Sequence, residues 1–129
     1  MNRSSQFNEI IRYIEEHLEE TIEVTTLARM AGLSVYEFRR VFTFVTGVPI
    51  GEYIRKRRLS CAAEQLFQKK CTVTELAERY GYDAPSSFSR AFREFHGFGP
   101  NELEHGNPVR MFTPVNFELC VSGGADLSY

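Results

Sequence analysis

Two stretches of this 129-residue chain repeat one another, and that repeat limits the possible folds more than any other feature. VTTLARMAGLS (24–34) and VTELAERYGYD (73–83) agree at five of eleven positions without a gap. One added residue after Asp83 then brings FRRVFTFVTG (38–47) onto FSRAFREFHG (88–97). In each copy apolar residues recur at three- and four-residue steps up to a glycine, and a second apolar stripe follows. Glycine enters the left-handed backbone region at little cost, so it ends one helix and lets the next set off across it. Helix, glycine turn, helix, twice over, predicts two helix-turn-helix units.

The remaining periodicity fills in the frame. Phe7, Ile10, Ile11, Ile14 and Leu18 predict an amphipathic first helix, with Glu15, Glu16, Glu19 and Glu20 mostly on its far side. Leu27, Ala28 and Ala31 mark a short second helix stopped by Gly32, after which Ser34 offers a hydroxyl cap to a third. That helix turns Phe38, Val41, Phe42 and Val45 inward and ends at Gly47 and Pro49. A longer helix from about Gly51 to Phe67 carries Ile54, Leu59, Ala62, Ala63, Leu66 and Phe67 as packing residues. Thr72 and Glu75 have capping-box spacing, Gly81 stops the helix they start, and Phe88, Ala91, Phe92 and Phe95 line the next, which closes at Gly97 and Pro100. After Gly106, Val115, Phe117, Leu119 and Val121 alternate with Asn116, Glu118 and Cys120, which predicts a strand. The expected fold is all-α, about seven helices in two helix-turn-helix subdomains (1–50 and 69–105). A long linker helix (51–68) joins them, and a short extended or β segment follows in the tail (106–129).

Charge is divided unevenly along the chain. The formal net charge is −2, yet residues 29–70 hold nine basic and three acidic groups, while the flanking thirds are acidic. A cationic face in the middle third suits a polyanion, and its bland counterpart is a solvated charged surface. Cys61, Cys71 and Cys120 are odd in number and lack metal-ligand spacing, so neither a disulfide framework nor a metal site is expected, and a reducing cytoplasm is. Cys61 and Cys71 read as buried small apolar residues rather than redox sensors. His17, His96 and His105 are far apart, with no H-E-x-x-H, glycine-rich phosphate loop or Ser-His-Asp arrangement, so neither an enzyme nor a cofactor is expected. No segment is apolar enough to cross a membrane, and Met1–Glu9 lacks the form of a signal peptide.

The repeat resembles the tandem helix-turn-helix DNA-binding domain of AraC/XylS-type transcription regulators, over roughly residues 6–104. ELAERYGYDAPSSFSRAFREFHGFGP (75–100) is similar to the signature of that family's second unit, LARMAGLSVYEFRRVFTFVTG (27–47) to its first, and GEYIRKRRLSCAAEQL (51–66) to its linker helix. Ile50 and Leu103-Glu104 depart from the family pattern at helix ends outside the groove face. TPVNFELCVSGGADLSY (113–129) looks like the opening strand of the GyrI-like small-molecule-binding domain of one branch of the family, which implies a chain continuing beyond Tyr129. The resemblance implies double-stranded DNA as partner, with RNA polymerase as a candidate second one. A small-molecule effector would act only through that further domain.

In a helix-turn-helix unit the exposed N-terminal part of the second helix reaches base edges in the major groove. In the first unit this selects Val35, Tyr36, Arg39 and Arg40 for bases, with Thr43 at the far end for the backbone. Arginine can grip guanine O6 and N7, and an apolar side chain can rest on a thymine methyl. Arg39 or Arg40 could instead touch phosphate or pair with Glu37. The second unit offers Pro85, Ser86, Ser89 and Arg90 for bases and Arg93 for the backbone. It is poorer in long polar groups, so it should depend more on phosphate and shape. Ser34 and Ser87 stand near the first turns, where free N–H groups and hydroxyls suit a phosphate, or where they simply cap. Of Arg55, Lys56, Arg57 and Arg58, four successive positions cannot all face DNA; Arg55 is the choice for a backbone contact, Arg58 for an acidic partner within the fold, and Tyr53 for packing. A semi-rigid linker would let both second helices enter adjacent major grooves roughly 34 Å apart. A helix-turn-helix module for protein–protein interaction is the alternative, and a ligand-binding protein or small enzyme a more distant one.

Overall fold

The computed structural model describes residues 3–68, 71–102 and 113–114. Along them run α1 (Arg3–Glu16), α2 (Val24–Ala31), α3 (Val35–Thr46), α4 (Ile50–Phe67), α5 (Val73–Arg79) and α6 (Pro85–His96), then a 3-10 turn at Pro100–Glu102. Among the described residues there is no strand, and the all-α fold of two helix-turn-helix subdomains holds. The strand expected at 115–121 lies outside the described residues, as do Leu103-Glu104, His105 and Cys120. Two compact units emerge. The first holds α1 to His17, α2, α3 and α4 as far as Ile54, and the second holds Leu18–Thr21, α4 from Arg55, α5, α6 and the 3-10 turn.

In the first unit the predicted inward stripes meet. Phe7, Ile10 and Ile14 from α1, Leu27 from α2, Phe38 and Phe42 from α3, and Ile50 and Tyr53 from α4 are buried almost completely. Phe7 stacks parallel to Phe38 with centroids 6.0 Å apart, and Tyr53 meets Phe42 edge-on at 5.4 Å. Tyr53 is therefore a packing residue, as expected. Between α2 and α3 the chain turns at Gly32, whose φ of +70° would strain any L side chain; a Cβ there would meet nothing within 4 Å, so the constraint is backbone conformation alone. Leu33 N–H bonds back to the Ala28 carbonyl at 3.0 Å and completes the turn. Ser34 Oγ then accepts the Glu37 N–H at 3.1 Å while Ser34 N–H donates to Glu37 Oε1 at 3.0 Å. The sequence reading anticipated this reciprocal cap at Thr72 and Glu75, where it is also present, but only its serine half here.

In the second unit Leu59, Ala62, Ala63, Leu76, Phe88 and Phe92 are fully buried. Tyr82 packs edge-on against Phe88 at 5.4 Å. His96 is buried among Phe92, Phe95 and Phe98 and bonds the Leu59 carbonyl through Nε2 at 3.0 Å. Phe67, expected to pack, is half-exposed at the end of α4. Cys61 and Cys71 are free and only partly buried, Cys71 Sγ lying 3.0 Å from Arg79 Nη1. The thiols thus sit beside guanidinium groups rather than in a purely apolar shell, since Arg57 Nη2 is 3.6 Å from Cys61 Sγ.

Candidate nucleic-acid interface

α3 owes its position to its buried stripe. With Phe38 and Phe42 sealed into the core, helical geometry sends positions 36, 39, 40, 43 and 44 outward. Arg39, Arg40 and Thr43 are exposed, Tyr36 is 69% exposed and Val35 is half-buried. The Arg40 guanidinium carbon lies 5.6 Å from the centre of the Tyr36 ring. That cation–π contact, across one helical turn, places the Arg40 charge over the Tyr36 ring, an apolar body topped by a cation. Glu37 is not the partner of Arg39 or Arg40. Glu37 is turned into the cap, where the Ser34 backbone N–H and then its hydroxyl bond hold the carboxyl below its ordinary pKa. Among the described residues neither arginine is paired with a carboxylate. The cap also occupies both the Ser34 N–H and its hydroxyl oxygen, leaving the hydroxyl proton as what Ser34 can give a phosphate.

α6 presents a different chemistry. Its start is set by Pro85 at the first helical position after Ala84, which supplies no side-chain cap. Pro85 and Ser86 are exposed, Ser87 and Ser89 half-buried, Arg90 and Arg93 exposed. Arg93 Nη2 is bound to Glu102 Oε1 at 2.6 Å, and this bond holds the Glu102 carboxyl below its usual pKa. Gly99 makes room for that pair, for a Cβ at 99 would stand 2.6 Å from Arg93 Nη2. Arg90, Ser89 and Asn101 border the same surface depression, about 320 Å³ in volume, between α6 and the 3-10 turn.

The basic run at the start of α4 disperses. Arg55 Nη2 lies 3.2 Å from Glu94 Oε2 of α6. Arg57 is buried. Arg58 donates from Nε to the Leu18 carbonyl at 2.8 Å and from Nη2 to that of Glu20 at 2.7 Å. Its partners are thus main-chain carbonyls beyond the end of α1, not the acidic side chain that the sequence led us to expect.

Sequence reasoning passed over Phe44, which is 90% exposed on α3. Its number held the signal, since 44 is one turn beyond Arg40 and two beyond Tyr36. The carboxylate partners Glu94 and Glu102 had no such signal, being 39 and 9 residues from the arginines they bind.

Elsewhere, no group of three His, Cys, Asp or Glu among the described residues could hold a metal ion, and no described helix is long and apolar enough to cross a membrane. His17 stacks on Tyr13 at 3.9 Å with Nδ1 2.6 Å from the Tyr13 carbonyl, and so belongs to the surface of α1.

Residues 27–105 match a family model described as a helix-turn-helix domain. The HTH-type transcriptional activator AarP of Providencia stuartii is 33% identical over 99 residues, covering 77% of this chain and 73% of AarP. An AraC-type transcriptional regulator from Chromobacterium violaceum shares the fold at a TM-score of 0.70 and 22% identity, covering 76% of this chain and 88% of its own. The DNA-binding domain of AdpA, a global transcriptional factor solved in complex with a target DNA, superposes at a TM-score of 0.67 and 29% identity, over 78% of this chain and 88% of that one.

Proposed function

The chain belongs to the AraC-type helix-turn-helix family, and from that membership we propose how its residues act. It is a sequence-specific DNA-binding transcription regulator. In our reading α3 and α6 are the recognition helices, each entering a major groove, the two grooves being successive ones on a promoter. The observation that carries this is the outward face of α3, where Tyr36, Arg39, Arg40 and Thr43 project from a helix locked to its core by Phe38 and Phe42.

Val35, Tyr36, Arg39 and Arg40 read bases in the first half-site, Arg40 gripping a guanine while the Tyr36 ring it covers rests on a neighbouring pyrimidine. Pro85, Ser86, Ser89 and Arg90 read the second. Ser34, Thr43, Arg55, Ser87 and Arg93 hold the backbone, and Arg55 and Arg93 exchange their carboxylates for phosphates on binding. The protein works in the bacterial cytoplasm without catalysis. RNA polymerase is a second partner, and residues 106–129 open a GyrI-like effector-binding domain, a reading that rests on the likeness of TPVNFELCVSGGADLSY (113–129) to that domain's first strand.

Titration with duplex DNA at two salt concentrations tests the core of this. A protein that neutralises several phosphates loses affinity steeply as salt rises, with a log–log slope of about −0.9 per phosphate. Binding that is absent, or indifferent to salt, would remove the DNA reading.

A further inference from the structure

We infer that Phe44 is a further base-reading side chain of α3, packing against the C5-methyl group of a thymine in the major groove; this rests on the DNA-binding reading above. Phe44 is the most exposed large apolar residue described, at 90%. A single exposed apolar side chain is common on protein surfaces, so the case for a partner rests on where Phe44 stands rather than on its exposure. Three features point to DNA as that partner. First, Tyr36, Arg40 and Phe44 follow at four-residue steps and so form one stripe, continuous with the face already assigned to bases. Second, among the described residues Phe44 has no exposed large apolar neighbour beside it: Tyr36 and Phe67 are the others so exposed, Phe67 belongs to the other unit, and Arg40 stands between Phe44 and Tyr36. Protein-binding surfaces gather several apolar side chains into one patch, whereas one aromatic beside an arginine matches a groove that offers single methyl groups between phosphates. Third, eight residues of helix advance about 12 Å, or roughly three to four base pairs, so Phe44 reaches thymine beyond the bases read by Tyr36 and Arg40.

Deoxyuridine isolates the methyl group, because it pairs as thymine does and lacks only that carbon. The wild-type chain is used to enrich a binding site from random duplex DNA, and each thymine of that site is then replaced singly by deoxyuridine. Phe44→Ala is bound to the same set. The substitution touches an exposed side chain and raises helix propensity, so the variant folds. The expected result is one thymine whose replacement weakens the wild-type protein about four-fold, the value of one buried methyl, and leaves Phe44→Ala unchanged. Equal uracil sensitivity in the two proteins, or none at any thymine, overturns the inference while leaving the DNA reading intact. Unchanged DNA binding by Phe44→Ala with lost activation of a promoter reporter also overturns it, and moves Phe44 to a protein contact. Failure to enrich any site defeats the DNA reading itself, and this inference with it.

Discussion

Arg58→Ala separates a basic residue that holds the fold from those that hold DNA. Its guanidinium makes two short hydrogen bonds, to the carbonyls of Leu18 and Glu20, from a half-buried position. Burial lowers its pKa, but an arginine stays protonated in proteins, so both bonds are charge-assisted. A hydrogen bond to a charged group contributes about 1.5–3 kcal/mol, and a half-exposed pair recovers part of that from water when broken. Two such bonds, discounted for that exposure, come to roughly 2–3 kcal/mol. For a chain of this size that lowers Tm by on the order of 10 °C. Thermal unfolding followed by circular dichroism measures this, and DNA titration well below the new Tm measures the rest. Affinity there should fall no more than two-fold, because the side chain is committed to the main chain and not to phosphate. A variant with an unchanged Tm and binding weakened ten-fold on every sequence would refute the assignment and make Arg58 a DNA contact instead.

Three further outcomes follow from the same geometry. Arg40→Ala should flatten discrimination at one base pair by about 1–3 kcal/mol, whereas Arg55→Ala should weaken binding to all sequences alike and reduce the salt slope by about one; equal effects of both on every duplex would show this sorting to be wrong. Glu37 and Glu75 hold lowered pKa values through the backbone and hydroxyl bonds of Ser34 and Thr72. Their caps therefore stabilise fully above the ordinary carboxylate range, and that stability is lost as pH falls through the depressed folded values. Unfolding across that range should be less acid-dependent in a Glu37→Gln/Glu75→Gln variant, and an unchanged acid limb would count against the caps. Gly99→Ala should keep the fold, since the atom it meets is the tip of a flexible side chain, yet break the Arg93–Glu102 pair. The Glu102 carboxyl should then titrate nearer 4.5 by NMR, and a value left depressed would mean that the pair survives.

What was legible in the sequence was local. Glycine turns, the Thr72–Glu75 cap and the Phe38–Phe42 and Phe88–Phe92 stripes are short-range patterns, and each appears where its spacing placed it. The inward and outward sides of α3 followed from the same arithmetic, which also places Phe44 outward, although the sequence reading passed it over. The reciprocal half of the Ser34 cap was equally local and was available from the Ser-x-x-Glu spacing. Long-range pairs were another matter. Arg58 finds carbonyls 38 and 40 residues away, and Arg55 finds Glu94 at 39, because helices pack by their apolar faces and the charged rims meet only as a consequence. A run of four basic residues on one helix could therefore be divided from its helical spacing, but the partners of Arg55 and Arg58 could not be named from it.

That dispersal alters how the two halves of the repeat can differ in function. In the first recognition helix Arg39 and Arg40 face outward without a carboxylate, and the one acid nearby, Glu37, is consumed by the cap. In the second unit Arg55 and Arg93 each begin with a carboxylate, and of the three arginines predicted to make contacts only Arg90 lacks an ion pair among the described residues. An arginine that must leave an exposed carboxylate for a phosphate gains little net energy, since it exchanges one screened ion pair for another and brings the freed acid close to DNA. The first unit should therefore supply most of the affinity and base preference. The second should act through Arg90, its serines and the fit of the groove, so that Arg39→Ala costs more binding energy than Arg93→Ala at the same salt.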